Sequence, residues 1–187
     1  MHRIGPRIIL AGVLPLLLSA CKAPGGEAPT ATAVDAAIED TGCGPAGQLR
    51  GSFFGSLDAA IDWRPPDLTC ESMPRPDHEG MRLRFAGPAG GGILSLIIAI
   101  PGLRRDATAE ALPANVTLTV EGSGRFFNTP NLDACFVDIT RHEPGGAGSH
   151  TVGGLLYCVL PLGEINGDGA VTIQDMYFSG TADWSTP

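Results

Sequence analysis

A chain of 187 residues with 20 acidic against 12 basic side chains carries a formal net charge of −8 at pH 7, which excludes recognition of nucleic acid or of anionic lipid by charge. Its 26 glycines and 16 prolines punctuate it throughout, and no segment sustains the 3.6-residue apolar period of a helical bundle. The chain opens on "MHRIGPRIILAGVLPLLLSA", residues 1–20, where Arg3 and Arg7 precede an apolar run from Ile8 to Leu18 and small residues close it. That layout is a secretory signal peptide. The run falls short of the roughly 20 apolar residues a transmembrane helix needs, so export without a membrane span is expected.

The signal ends in "LSAC", Leu18 to Cys21, which resembles the lipobox of bacterial lipoproteins. The resemblance covers the signal region alone. It implies that Cys21 becomes the mature N-terminus, bearing a thioether-linked diacylglycerol and an amide-linked acyl chain such as palmitate. Three chains exceed the two-signal threshold for lasting anchorage, since each buried methylene adds about 0.8 kcal/mol. The resemblance also implies a lipid-anchored place in the bacterial cell envelope, and Lys22 in place of aspartate implies the outer membrane, facing the periplasm. Residues 21–42 then form the lipidated cysteine and a linker, because "KAPGGEAPTATAVDAAIEDTG" has no aromatic residue and is rich in Ala, Pro, Gly, Thr and acid. Flexible chain of that length spans on the order of 25 Å.

Residues 43–187 have the size of one domain. Short β-rich runs recur between turn residues, predicting strands near Leu49 to Trp63, Met81 to Ala86, Gly92 to Ile100, Asn115 to Glu121, Arg125 to Asn128, Ala134 to Thr140, Thr151 to Leu160 and Ala170 to Phe178. The expected fold is all-β, an antiparallel β-sandwich of about eight strands. "ILSLIIAI" is apolar on both faces, so its strand belongs in a central, covered position. Lipidation of Cys21 leaves Cys43, Cys70, Cys135 and Cys158 in an oxidising compartment, an even number that permits three pairings. Two disulfides are expected, Cys43 with Cys70 and Cys135 with Cys158. The second pair lies in "ACFVDIT" and "LLYCVLPL", strand-like runs joined by a Gly-rich loop. With no Cys-x-x-Cys and no paired histidines beside these cysteines, metal ligation is not favoured.

Near the end of the chain, "GEINGDGAVTIQD" resembles the calcium loop of dockerin domains. Carried over position by position, the resemblance implies oxygen ligands from Glu164, Asn166, Asp168, the Ala170 carbonyl and Asp175. Asn-Gly and Asp-Gly are also the strongest short-range hairpin signals. The residues from Val171 onward alternate, with Val171, Ile173 and Tyr177 expected on one side and Thr172, Gln174 and Met176 on the other. A strand-connecting turn is therefore preferred and no metal is assigned, Asn166, Gly167, Asp168 and Gly169 serving for their tolerance of positive φ.

Other chemistry is sparse. No Gly-x-Ser-x-Gly, His-Glu-x-x-His or Walker-type loop occurs. His78, His142 and His150 lie in or beside turn-rich stretches, where solvent-facing loop roles are expected. Arg82 and Arg84 alternate in "MRLRF" and are expected on one solvated strand face. "FFGSLDAAIDW" and "MYFSGTADW" both end in Asp-Trp, and Trp63 and Trp184 are expected to plug the core, exposed tryptophans being the mark of a carbohydrate platform. The expected function is a non-catalytic, lipid-anchored envelope protein with a binding or structural role, no cofactor, and an unidentified envelope protein or glycan as partner. A calcium-dependent or carbohydrate-binding module is the alternative.

Overall fold

Segments that alternate apolar and polar residues can bury one face of an extended chain, and they do so here between breaks of glycine, proline and aspartate. The computed structural model describes residues 41–75, 79–146 and 148–185. The signal peptide, Cys21, nearly all of the linker, and His78 lie outside the described residues.

The strands are β1 (Gln48–Gly55), β2 (Ala59–Trp63), β3 (Thr69–Pro74), β4 (Met81–Ala89), β5 (Gly92–Ile100), β6 (Ala109–Val120), β7 (Arg125–Asn128), β8 (Cys135–Pro144), β9 (Ser149–Cys158), β10 (Leu162–Glu164), β11 (Ala170–Ile173) and β12 (Met176–Asp183), with one 3-10 turn at Leu132–Ala134. The all-β antiparallel fold is as expected, but the described residues form 12 strands where about eight are predicted. The expected run from Leu49 to Trp63 breaks into a β1–β2 hairpin, whose turn is tied by the Gly55 N–H donating to the Asp58 carboxylate at 3.1 Å. β3 was missed because "TCESMP" lacks an apolar run, and β10 because three residues carry too little pattern.

The expected last strand is also two strands, and this corrects the predicted alternation. β1 pairs with β11 through Phe53–Gly55 and with β12 through Gln48–Arg50. Gln174 and Asp175 lie between β11 and β12 and slip the phase by one residue. Val171 and Ile173 are buried, followed by Met176 and Phe178, while Tyr177 faces outward. Gly51 sits opposite this break, where a Cβ would lie 2.8 Å from the Asp175 carbonyl oxygen and 2.7 Å from the Met176 sulfur. No larger residue fits there without displacing the corner.

β6 makes the second corner. Its first half pairs with β8 and its second half with β5 and β7. The ladder β6-β7-β10-β11-β1-β12-β9-β8 thus returns to β6, and β5-β4-β3 extend from it. That extension folds back over β12, where the Asp183 N–H donates to Ser72 Oγ at 2.8 Å. Two layers face one core, with Leu49, Phe53, Phe85, Leu96, Ile98 and Phe127 among its fully buried side chains. Each such residue contributes about 2 kcal/mol by leaving water. β5 lies between β4 and β6, the central position expected, but its second face is not covered as expected, since Ile93 is exposed and Ile97 and Ala99 are partly exposed.

Both expected disulfides are present. Cys135 and Cys158 face each other across the β8–β9 ladder with Cα atoms 4.0 Å apart, and Cys43 joins Cys70 on β3 with Cα atoms 4.7 Å apart. Each closes a loop long enough to stabilise the fold by about 3 kcal/mol through chain entropy.

Candidate functional site

The segment that resembles a calcium loop is the connection between β10 and β11. Leu162 pairs with Val171 and Gly163 with Ala170, and the Glu164 N–H donates to the Gly169 carbonyl at 2.8 Å. Glu164 is taken up by a side chain of the fold. Its carboxylate accepts from Arg125 Nε at 2.6 Å and Nη2 at 3.1 Å, and only 15 % of its side chain is exposed. The two hydrogen bonds from Arg125 hold the Glu164 carboxyl below its ordinary range, and the Arg125 guanidinium is raised in turn. Asn166 and Asp168 are exposed at the tip, and Asp175 is exposed at the β11–β12 break. Among the described residues, no three His, Cys, Asp or Glu side chains are grouped so as to hold a metal ion.

The glycines here serve a purpose other than the expected one. Only Asn166, at φ 61°, is left-handed in this turn. A Cβ on Gly169 would lie 2.2 Å from Glu164 Oε2 and 2.8 Å from Ser56 Oγ, and one on Gly167 would lie 2.8 Å from Glu164 Cδ. They are small so that the carboxylate can reach Arg125. Arg84 is likewise consumed within the sheet, by Glu71 at 2.9 Å, Glu121 at 2.7 Å and Ser95 Oγ at 2.8 Å. Arg82 is exposed, as expected.

The tryptophans divide. Trp63 is 5 % exposed and donates from Nε1 to the Pro88 carbonyl at 3.0 Å, so it is the expected core plug. Trp184 is half-buried, forming one wall of a cleft of about 530 Å³ together with Pro74, Glu79, Gly80 and the segment Pro101 to Arg105. Arg104 and Arg105 are exposed on that segment, and Arg105 Cζ lies 5.8 Å from the centre of the indole. Arg105 Nη2 also donates to the Trp184 carbonyl at 3.4 Å.

Behind Trp184 lie two of the histidines that were expected in solvent-facing loops. That expectation is corrected: the β8–β9 strands run to Pro144 and resume at Ser149, so both residues occupy strand positions, with His142 8 % and His150 6 % exposed. His142 is opposite Val152 and His150 is opposite Pro144, which makes the histidines diagonal neighbours on one face. Their rings meet edge-on with centroids 5.2 Å apart, and His142 stacks beside Trp184 at 6.0 Å and 18°.

The segment between β5 and β6 closes over this pair. Leu103 is buried, His142 Nδ1 donates to the Ala107 carbonyl at 3.2 Å, and His150 Nδ1 lies 3.2 Å from the Asp106 carboxylate without the alignment of a hydrogen bond. Asp106 takes φ 61° to make this approach, a conformation that costs a non-glycine residue about 1 kcal/mol. With Nδ1 carrying the hydrogen, Nε2 of neutral His142 is a buried acceptor with no partner among the described residues, as is the Trp184 Nε1 donor. Burial holds the His142 imidazole below its ordinary range, with the neighbouring His150 and Arg105 acting in the same direction against Ala107 and Asp106. The sequence signal for this cluster was the pair of histidines flanking "EPGGAGS", spaced to share a hairpin face.

Comparison of the chain with family models, with curated proteins and with solved structures finds no match to any of them.

Proposed function

We propose that the protein is a non-catalytic, lipid-anchored binding module of the bacterial outer membrane, facing the periplasm, that holds a ligand bearing a carboxylate or phosphate in the cleft beside Trp184. One observation carries the ligand assignment. In a chain of net charge −8, the exposed Arg104 and Arg105 stand side by side on the cleft wall, and no carboxylate among the described residues pairs with Arg104. Guanidinium groups match carboxylate and phosphate geometry. The indole supports a charged ligand better than a stacked sugar, because it is already in contact with His142 and Arg105. The anchor rests on "LSAC", and labelling with palmitate that disappears in Cys21→Ser is its direct check.

Thermal unfolding in millimolar inorganic phosphate or galacturonate, against chloride at equal ionic strength, tests the cleft. A ligand at a hundred times its Kd stabilises the native state by about 2.7 kcal/mol. The expected result is a rise in Tm with at least one of the two probes, lost in Arg104→Ala/Arg105→Ala. Equal response to chloride, or a rise that survives the double variant, overturns the assignment.

A further inference from the structure

We propose that His142 is a proton-operated latch: as the neutral imidazole it holds the segment between β5 and β6 down against Trp184, and on protonation it releases that segment and opens the cleft. For its functional consequence the inference rests on the cleft being the binding site, but the release itself needs no ligand.

His142 supplies the hydrogen bond that ties the segment to β8, beside the Arg105 bond to the Trp184 carbonyl and the approach of Asp106 to His150. The His142 Nδ1–H reaches the Ala107 carbonyl at 3.2 Å, and its ring lies against both His150 and Trp184. A second proton would sit on Nε2, which is buried without an acceptor among the described residues. It would place a cation in a site 8 % exposed, with its ring centroid 5.2 Å from that of a second imidazole. Among the charged and titratable side chains of the elements around it are Arg105 and Asp106 on the closing segment, His150 on β9 and Asp183 at the end of β12. Arg105 repels the new charge. The Asp106 carboxylate attracts it but lies against His150 Nδ1, at 3.2 Å. The Asp183 carboxylate accepts from the N–H and O–H of Ser185 at 2.8 and 2.6 Å. Burial costs the charged imidazole more than these neighbours return, which holds His142 below its ordinary range.

The segment is the part that yields. It is a connection and not a strand, Arg104, Arg105 and Asp106 on it are exposed, and Asp106 is held at φ 61°. β8 and β9, by contrast, are held by a ladder that pairs Cys135 with Cys158 at one end and Pro144 with His150 at the other, interrupted once between Ile139 and Arg141, and by the Cys135–Cys158 bridge. Lifting the segment hydrates Nε2 and relieves Asp106 in one movement. The same movement carries Arg104 and Arg105 away from Trp184, so a proton and the anionic ligand would compete for one arrangement of the cleft wall.

The test uses the full-length protein in detergent, without ligand, with its two indole N–H signals followed by NMR from pH 8 to pH 5. Trp63 Nε1–H is held by Pro88 and serves as the internal reference. The expected result is that the Trp184 signal shifts and becomes several-fold more accessible to a soluble quencher with the same midpoint as the His142 ring protons, while Trp63 stays still. His142→Asn, which keeps a donor for Ala107 but does not titrate, should abolish the transition, and His150→Asn should retain it. A Trp184 signal that does not move with pH, that titrates with a midpoint different from His142, or that still titrates in His142→Asn overturns the latch. Should His142→Asn fail to fold, the coincidence of midpoints in the wild type decides. Because no ligand enters, failure here leaves the anion-binding assignment standing, and failure of the phosphate and galacturonate tests leaves the latch standing.

Discussion

The β10–β11 turn and the histidine cluster behind Trp184 are opposites in how they display their chemistry. The turn carries its acids and glycines within six consecutive residues, yet its best-placed carboxylate is spent on Arg125 of another strand. The cluster draws its parts from β8, β9, the β5–β6 connection and the end of β12, and its polar atoms end up buried with incomplete partnering. Satisfied hydrogen bonds make the first a structural joint. Unsatisfied ones make the second sensitive to protons, because a buried polar group without a partner is where a change in charge has the largest consequence.

The largest effect should come from filling the joint. In Gly169→Val the new side chain displaces Glu164 from Arg125 and crowds Ser56, and about 3 kcal/mol of stability should be lost, as read from the denaturant midpoint of residues 43–187. A loss under about 0.5 kcal/mol would mean that the Glu164–Arg125 pair does not depend on the small residue, and the turn would lose its structural assignment.

Acid unfolding should separate the two regions next, because both groups are lowered but from different ordinary values, His142 by burial of its charged form and Glu164 by hydrogen bonds to its charged form. The His142 imidazole is lowered from 6.5, so its contribution is complete above the unfolded value and fades as pH falls below it, while the unfolded chain takes up a proton that the folded one refuses. The Glu164 carboxyl is lowered from 4.5, so its contribution is complete above that value and fades as pH falls further. Stability measured by denaturant should therefore step down twice. His142→Asn should remove the upper step and Glu164→Gln the lower. Salt should shrink the lower step more, since Arg125 is 39 % exposed and its pairing is screened. A single step, or two that ignore these substitutions, would break the contrast.

The smallest effect belongs to calcium. Millimolar calcium on a micromolar site would add about 4 kcal/mol, whereas the turn as built should leave Tm unchanged, and Asp168→Ala should cost no more than about 0.5 kcal/mol. A strong calcium shift abolished by Asp168→Ala would restore the resemblance to dockerin loops as the better guide.

Much of the framework was legible because it is local. Alternating segments read as strands, the composition of "ILSLIIAI" placed β5 inside its sheet, and the cysteine pairing followed from parity and from strand runs joined by one loop. Where a pattern is carried by near neighbours, extended-chain geometry alone decides which side each residue faces. The slip between Ile173 and Met176 was not legible, because it is imposed by β1, which pairs with two strands in succession and needs Gly51 at the change. Nor was the fate of Glu164, whose partner lies 39 positions away. His142 and His150 read as loop residues because turn composition surrounds them, yet the strands on either side reach past them. Their meeting with Trp184 and with the connection ahead of β6 is a tertiary fact. Sequence spacing determines which residues share a strand face, but which faces are closed over, and by what, depends on packing between elements distant along the chain.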